Sequence, residues 1–594
     1  MANPLIPDDL VDFLLDDVLG LDRVLALPAF AAHTRETCAL FLDSARRVAR
    51  GVLFPAYEEM NRDLPRFEDG RVHLHPRMGA LYRQIVDLGI LSASRPEEVG
   101  GAMLPMTVTA AGSAYLMAAN LGVVAIAGLT TGAARLIESF GDRDLRDRFM
   151  TRMYAGEWSG TMALTEPQAG SSLSDVQTRA APQPDGSYLI RGTKIFISGG
   201  EQDITDNIVH LTLARIDGAP EGIKGVSLFA IPKLREEDGG LVDNDVACTS
   251  VFKKIGWKAL PSVQLTFGEA GDCRGWLVGA PHRGIVHMFQ MMNEARLMVG
   301  LNGIASASVA YQDALQYARD RPQGRPVAAK DPSAPQVSII EHADVRRMLL
   351  RQKAIVEGGL GLLLRAAVLT DLAGHAPDEG ARREAQLLLD LLIPIAKTFP
   401  AEYGFEANTL AIQVHGGYGY TSEFLSESWW RDQKLNSIHE GTSGIQAMDL
   451  LGRKAVALGG EPLALFARAV QATAASAREV DLGEHAAALA AALDDLIATT
   501  AALGRKGAGG DPDAMLRHAS DYMDGFSVVA VSWELLDQAI AARRGSGRRS
   551  AAFCEGKLRA CDYWLATELP YAAVTFARIR SGETSFAEAP PDCF

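Results

Sequence analysis

Between residues 156 and 280 the sequence changes texture, and that change limits what the chain can become. Inside this window, short segments rich in β-branched and aromatic residues ("SYLIRGTKIFISGG", "NIVHLTLARI", "GVSLFAIPKL", "SVQLTFGEA", "RGWLVGA") alternate with the turn formers "PDG", "DGAPEG" and "EEDGG". On both sides the apolar period is helical. Upstream, "DSARRVARGVLFPAYEEMNR" and "MGALYRQIVDLGIL" repeat at three-to-four spacing. "TAAGSAYLMAANLGVVAIAGLTTGAARLIESFG" is apolar nearly all round, as a buried helix is. Downstream, "GIVHMFQMMNEARLMVGLNGIASASVAYQDALQYARD", "ADVRRMLLRQKAIVEGGLGLLLRAAVLTDLAG" and "EAQLLLDLLIPIAKTFPAEYGFEANTLAIQVHGG" are helical again. From 461 the chain becomes alanine-rich, a composition that favours helix over disorder. No repeat of solenoid length is present. The expected architecture is mainly α with a central β domain. It comprises an N-terminal extension (1–38), a helical domain (39–155), a middle β domain of barrel-like form (156–280), a helical bundle (281–460) and a C-terminal helical appendix (461–594). A small β domain between helical domains suits closure over a flat cofactor.

At 594 residues, 48% hydrophobic and 22% charged, the chain can bury several cores. Its net charge of −15 argues against a duplex-DNA reader or a binder of anionic membranes. The basic cluster "RRGSGRR" (543–549) reads as a solvated turn. The six cysteines show no C-x-x-C pair and no metal-type spacing, so reduced thiols in a cytoplasmic protein and no metal are expected. The N-terminus lacks the basic region of a secretory signal or transit peptide. No run is expected to reach the ~18–20 apolar residues of a membrane span.

Four stretches carry chemistry. In "GTMALTEPQAGSSLSDVQTRA" (160–180), Thr165-Glu166-Pro167 opens a turn and Gly170-Ser171-Ser172 closes it, with a glycine that lets backbone approach a ligand. In "TKIFISGG" (193–200), two-residue alternation puts Phe196 and Ser198 on one face, suited to sheet packing or to a stacked ring with a polar edge. In "AIQVHGGYGYTSE" (411–423), Gly416, Gly417 and Gly419 follow a helix rather than a strand, which excludes the dinucleotide fingerprint. Finally, "NSIHEGTSGIQAMDLLGRK" (436–454) places Glu440 ahead of a helix with Ile445, Met448 and Leu451 on its apolar face and Ser443 and Gln446 as a capping box. A carboxylate there is either a partner of the helix dipole or a working group.

Together "ALTEPQAGSS", "TKIFISGG", "ARDRPQGRP", "QVHGGYGYTSE" and "IHEGTSGIQ" have the order and spacing of the acyl-CoA dehydrogenase family, which the chain resembles over about residues 40–455. The extension and appendix resemble its enlarged branch, which includes 3-methylmercaptopropionyl-CoA and broad-range fatty acyl-CoA dehydrogenases. The resemblance implies FAD between the β domain and the helical domain. Met162, Leu164 and Thr165 would contact the flavin, with Gly170 and Ser171 at the pyrophosphate side and the thioester, and Phe196 and Ser198 on the other flank. Arg321 would meet the pyrophosphate of a neighbouring subunit's FAD, since a guanidinium fork suits phosphate oxygens. Gln413, Gly416 and Gly417 would follow the adenosine half, with Thr442 and Ser443 facing it from a helix N-terminus. Asn293 and Arg296 would line the CoA channel, and His439 and Gly441 would border the acyl group.

The same resemblance makes Glu440 the catalytic base. The α-proton of a thioester is weakly acidic, so its removal requires a carboxylate of raised pKa and a polarised carbonyl. The β-hydrogen would then pass as hydride to flavin N5. The implied activity is α,β-dehydrogenation of an acyl-CoA, either 3-methylmercaptopropionyl-CoA or a medium- or long-chain fatty acyl-CoA. Electrons would pass to an electron-transfer flavoprotein, in a homodimer or homotetramer. Three positions depart from the family pattern: Ser172 replaces a common aspartate, His439 a common tyrosine, and "PQGRP" after Arg321 lacks the usual aromatic. Two other classes share the scaffold. Flavin oxidases of small carbon acids use an aspartate base, and a DNA-damage-response branch binds DNA through a basic C-terminal domain.

Overall fold

The computed structural model describes residues 3–594 except 329, 330, 332 and 546, and no side chain is described at 290–292. The principal helices before the sheet are α1 (Arg35–Val48), α2 (Phe54–Arg62), α3 (Met78–Asp87) and α4 (Met106–Phe140). The eight strands of the main sheet follow: β1 (Trp158–Ala163), β2 (Arg179–Pro182), β3 (Tyr188–Ser198), β4 (Asn207–Ile216), β5 (Val226–Pro232), β6 (Val246–Val251), β7 (Ser262–Phe267) and β8 (Arg274–Leu277). Then come α5 (Gly284–Asp320), α6 (Ala343–His375), α7 (Glu379–His415), α8 (Ser426–Gln433) and α9 (Ser443–Asp449). The last major helices are α10 (Glu461–Arg478), α11 (Gly483–Ala508), α12 (Ala519–Arg544), α13 (Ala551–Thr567) and α14 (Leu569–Ser581). By packing, the chain forms two units. One comprises Met1–Arg35, Pro105–Ala114 and Arg296–Phe594, and the other comprises Glu36–Leu104 and Tyr115–Ala295.

The second unit is built on the sheet, whose order is β6-β7-β3-β8-β5-β4-β1, with β2 pairing β3 and β4. β1 and β4 run parallel in register from Trp158↔Asn207 to Ala163↔Thr212, while β4 and β5 are antiparallel. A parallel strand covered on both faces needs a near-continuous apolar run. β4 and β5 have one: Val209, Leu211, Leu213, Leu228 and Ala230 are fully buried with Ile137, Phe149 and Trp158. In β3 the two-residue alternation breaks. Leu265 of β7 faces Lys194, but Val263 faces Ile197, so β3 holds one residue more than its partner. Phe196 sits in this bulge with φ 59°, its ring exposed, which corrects the expectation that it shares a plain strand face with Ser198.

The first unit is all-helical. Asp378 caps α7 by accepting from the Ala381 N–H at 2.7 Å, and Ser550 caps α13 by accepting from Phe553 at 3.2 Å. α6 pairs with α7, and α12 packs against α6, α10, α13 and α14. α12 is buried nearly all round and carries polar side chains inward, among them Glu534, which binds Arg365 of α6. The N-terminal segment is fixed to α5: Asn3 Nδ2 donates to the Val309 carbonyl at 2.9 Å and Ser308 Oγ to that of Leu5 at 2.8 Å.

One expectation changes. Helices α4 and α11 are long and apolar enough to cross a membrane, contrary to the reading that no such run exists, and most of the apolar window of α4 is buried inside the protein. The "RRGSGRR" cluster lies at an exposed turn as expected, with Arg544 pairing with Glu479 at 2.8 Å, and Arg548 and Arg549 with Asp17 at 3.5 and 3.1 Å.

Candidate active site

The helical unit holds Glu440 in an unusual backbone. A 3-10 turn, Lys434–Ser437, ends at Ile438 and His439, after which Glu440 and Gly441 take φ of 54° and 87° before α9 begins. Glycine tolerates that left-handed region, whereas a residue with a Cβ pays of order 1–3 kcal/mol and stays only where its surroundings over-determine it. The surroundings are explicit. Gln446 Nε2 donates to the Glu440 carbonyl at 3.0 Å, and Lys397 Nζ donates to the Gly441 carbonyl at 2.9 Å. His439 Nδ1 donates to the Leu435 carbonyl at 2.8 Å, which fixes the neutral ring with its proton on Nδ1. Thr442 Oγ1 accepts from the Ile445 N–H at 3.3 Å. The cap is therefore Thr442, not Ser443, and Ser443 Oγ instead donates to Glu402.

The buried face of α9 is also not the expected one. Met448 is 46% exposed, while Gln446 and Asp449 are buried with Ala447. These polar residues are inside because each has a partner to satisfy. Asp449 Oδ2 binds Arg296 Nη1 at 2.8 Å, both side chains nearly inaccessible, and Asp449 Oδ1 accepts from Arg453 at 2.8 Å. Arg296, expected along the CoA channel, is thus placed in the interior beside the acid it neutralises.

Electrostatics follow from this packing. Desolvation raises the pKa of Glu440 above the ordinary carboxylate range, with Arg296 and then Lys397 pulling it back. The residue as a whole is nonetheless only half-buried. Burial pushes Lys397 down to about 8 against the attraction of Glu402 and Glu440. Burial likewise pushes His439 down to about 4. A carboxylate that is partly desolvated and near two cations it does not fully surrender to is suited to taking a proton from a weak carbon acid.

The β unit presents a second set of residues. After β1, Glu166 and Ala169 exchange backbone hydrogen bonds at 2.9 and 3.0 Å, closing the turn. The Glu166 carboxylate reaches inward to Lys194 at 2.8 Å, to Thr178 Oγ1 at 2.6 Å and to the Gln177 N–H at 2.7 Å. Its burial would raise its pKa, but Lys194 and these donors hold it down to about 2. Lys194 also donates to the Leu164 carbonyl at 3.1 Å, and the Ile195 N–H to that of Thr165 at 2.9 Å, so the turn is fastened to β3. This leaves Met162, Leu164, Thr165 and Ser198 half-buried, and Gly170, Ser171 and Phe196 exposed. Ser172 bonds Asp175 at 2.6 Å, closing the loop in place of a longer side chain.

In the helical unit, Gln413, Gly416, Gly417 and Arg321 are all exposed, and the Arg321 guanidinium lies 6.0 Å from the Tyr418 ring centre. A Cβ at Gly416 or Gly417 would meet nothing within 4 Å, so the fold itself does not require glycine bulk there, although Gly416 has φ 62°. Asn293 lies half-buried on α5. Sequence reasoning missed Lys397, Glu402, Asp449, Glu166 and Lys194. A signal existed for the two lysines, each a lone cation in an apolar run ("LLIPIAKTF", "TKIFIS").

These features define a class: a helical protein whose inserted sheet presents hydroxyls and an aromatic ring, and whose bundle presents a strained glutamate. Comparison with known proteins gives the family. Models of the acyl-CoA dehydrogenase N-terminal, middle and C-terminal domains match residues 35–157, 161–270 and 282–455, and an acetyl-CoA dehydrogenase C-terminal-like model matches 466–590. The chain is 38% identical to 3-methylmercaptopropionyl-CoA dehydrogenase of Ruegeria pomeroyi over 96% of each chain. It is 32% identical to a broad-specificity linear acyl-CoA dehydrogenase of Mycobacterium tuberculosis over 98% of each. An acyl-CoA dehydrogenase of Bacillus anthracis complexed with FAD shares its fold, with TM-score 0.74 and 21% identity over 98% of this chain and 93% of that one. The protein belongs to the acyl-CoA dehydrogenase family, whose FAD-dependent members dehydrogenate acyl-CoA thioesters.

Its residues fit that cofactor. The hydroxyls of Thr165 and Ser198 have no side-chain hydrogen bond among the described residues, and Phe196 offers an open ring face. Arg321 has no acidic partner among them, as a phosphate-binding guanidinium requires.

Proposed function

We propose that this enzyme removes the α-proton of an acyl-CoA with Glu440 and yields the trans-2-enoyl-CoA. The observation that carries the reading is the left-handed Glu440-Gly441 pair, held by Lys397 and Gln446, with a carboxylate of raised pKa. A helix-dipole partner has no need of a strained backbone. The Glu440 N–H would donate to the thioester carbonyl, stabilising enolate character where it develops. Gly441 leaves room beside the base, and His439, neutral and with Nδ1 occupied, borders the acyl group. FAD, when bound, supplies the acceptor for the β-hydride. Met162, Leu164, Thr165, Gly170, Ser171, Phe196 and Ser198 would hold it from the β unit. Arg321, Gln413, Gly416, Gly417, Thr442 and Ser443 would also hold FAD, with Arg321 reaching the pyrophosphate of a neighbouring subunit's cofactor in a homodimer or homotetramer. Asn293 would contact CoA.

We take the substrate to be 3-methylmercaptopropionyl-CoA or a linear fatty acyl-CoA, as for the two relatives, and the electron acceptor to be an electron-transfer flavoprotein. The six cysteines form no disulfide among the described residues, which suits a reducing compartment, and we place the enzyme in the cytoplasm. Anaerobic flavin bleaching across methylthio, short, long and branched acyl-CoAs identifies the substrate. The deciding experiment is Glu440→Gln. FAD content and acyl-CoA binding should persist while stopped-flow flavin reduction falls by at least the ~10²–10⁴ of acid–base assistance. Reduction within a few-fold of wild type places the base elsewhere.

A further inference from the structure

A cavity of about 180 Å³ lies within the helical unit, between α7, the start of α9 and α12 of the appendix. Helical spacing turns one face of each long helix towards it: Thr398 and Glu402 on α7, Met523 and Ser527 on α12. Asp524, also on α12, is exposed, so the cavity opens to solvent at that rim. Deeper in, Phe399 and Met523 supply buried apolar surface.

The polar part of the wall is incomplete. Thr398 Oγ1 and Ser527 Oγ have no hydrogen-bond partner, on residues only 6% and 1% exposed. Buried polar groups are nearly always hydrogen-bonded, so two open hydroxyls on facing helices point to a partner in the space between them. The carboxylates are half-engaged. Glu402 Oε1 accepts from Ser443 Oγ, and Asp524 Oδ1 accepts from the Tyr403 hydroxyl at 2.8 Å. The second oxygen of each has no hydrogen bond among the described residues.

These groups select the chemistry of an occupant. Both charged side chains that line the cavity are acids, which excludes an anion. A hard metal ion takes about six oxygen ligands or more, and no group of three or more His, Cys, Asp or Glu is placed to hold one among the described residues. A primary ammonium brings the missing positive charge and three donors, and a short alkyl chain behind it covers the apolar wall. At roughly 30 Å³ for each heavy atom, the share of a water molecule in the liquid, the space takes about six such atoms.

We propose that this cavity binds a small primary alkylammonium ion. Its nitrogen donates to Thr398 Oγ1, Ser527 Oγ and the free oxygen of Glu402, and its chain lies against Phe399 and Met523. Neither Glu440 nor Gly441 lines the cavity. Of the residues read as holding FAD only Ser443 does, and its hydroxyl is turned to Glu402.

The test uses the FAD-loaded full chain, so that the cofactor site is filled, and n-butylammonium at pH 7 as the probe. Titration calorimetry at constant ionic strength should show a Kd of order 1 mM or tighter. The neutral n-butanol should bind about tenfold more weakly or worse, and butyrate should not bind. Thr398→Val and Ser527→Ala should each weaken n-butylammonium by about tenfold, the loss of one hydrogen bond to a charged group. Without amine, the same variants should keep or raise the denaturation midpoint, because each removes a buried hydroxyl that has no partner. A hydroxyl serving only the fold does not combine lost affinity with kept stability. The site is overturned if n-butanol binds as tightly as the amine, if neither variant weakens the amine, or if no heat appears at tens of millimolar. A midpoint that falls in both variants overturns it as well, since the hydroxyls then already have partners within the fold.

Discussion

Arg296 and Asp449 illustrate how much a single buried pair decides near Glu440. Both are almost fully enclosed and 2.8 Å apart, so neither charge has water to fall back on. Removing one partner of such a pair strands the other, typically at about 3–5 kcal/mol. Asp449→Asn should lose stability on that scale in urea denaturation. Asp449→Asn also leaves the Arg296 charge less balanced beside Glu440, so the pH profile of flavin reduction should move to lower pH. A loss near zero would show that the asparagine amide oxygen or solvent already supports the arginine. His439 gives a pH prediction. Its pKa is about 4 in the fold against an ordinary 6.5, so between those values the unfolded chain binds a proton that the native one refuses. Native stability should therefore fall as pH drops from 6.5 towards 4, and His439→Gln should flatten that part of the denaturation curve. Glu440 was legible in the sequence because a motif surrounds it. Asp449 was not, because a polar residue at a helical spacing reads as surface until its partner, distant in the chain, is known.

At the level of elements, α9 shows where local rules mislead by one residue. Thr442 and Ser443 are both plausible caps, and the choice falls on Thr442 because Glu402 engages the Ser443 hydroxyl. Thr442→Ala should then cost about 1 kcal/mol of stability, the usual loss of a cap, whereas a cap at Ser443 would leave Thr442→Ala nearly neutral. Gly441→Ala is the harsher change. A Cβ there would stand 2.7 Å from Gln446 Nε2, in a backbone with φ 87°, so the Gln446 bond to the Glu440 carbonyl must give way. Circular dichroism should show an intact fold, while flavin reduction drops. β3 carries a similar lesson. Its apolar alternation marks a strand, but the extra residue at Phe196 is set by pairing with β7 and by the pull of Glu166 on Lys194, neither of which is local in sequence. The helix–sheet–helix order was readable from periodicity alone. The bulge and the cap were not, because long-range contacts select among options that local propensity leaves equal.

For the whole molecule, the question is whether residues after 461 are an attachment or part of the fold that holds Glu440. Their sequence reads as a separate helical appendix, yet they pack within the same unit as α5, α6 and α7. The contacts are not only apolar. Arg365 of α6 binds Glu534 and, at 2.6 Å, Asp537, both on α12. Glu357 of α6 is shared by Lys353 and by Lys557 of α13, the latter at 3.1 Å and only 1% exposed. A chain ending at 460 would leave Arg365, Glu357 and the apolar faces of α6 and α7 uncovered together. Exposing those apolar faces forfeits about 25 cal/mol for each Å² laid bare, and the ion pairs to α12 and α13 go with them, against the 5–15 kcal/mol that stabilises a typical domain. Truncation at residue 460 should therefore yield no stable bundle, and Glu534→Ala in the full chain should lower the denaturation midpoint without splitting the transition. A truncated chain that folds, binds FAD and reduces it with acyl-CoA would make the appendix an independent domain. Failure of the truncation together with a normal Glu534→Ala midpoint would assign its effect to apolar cover rather than to the buried ion pairs.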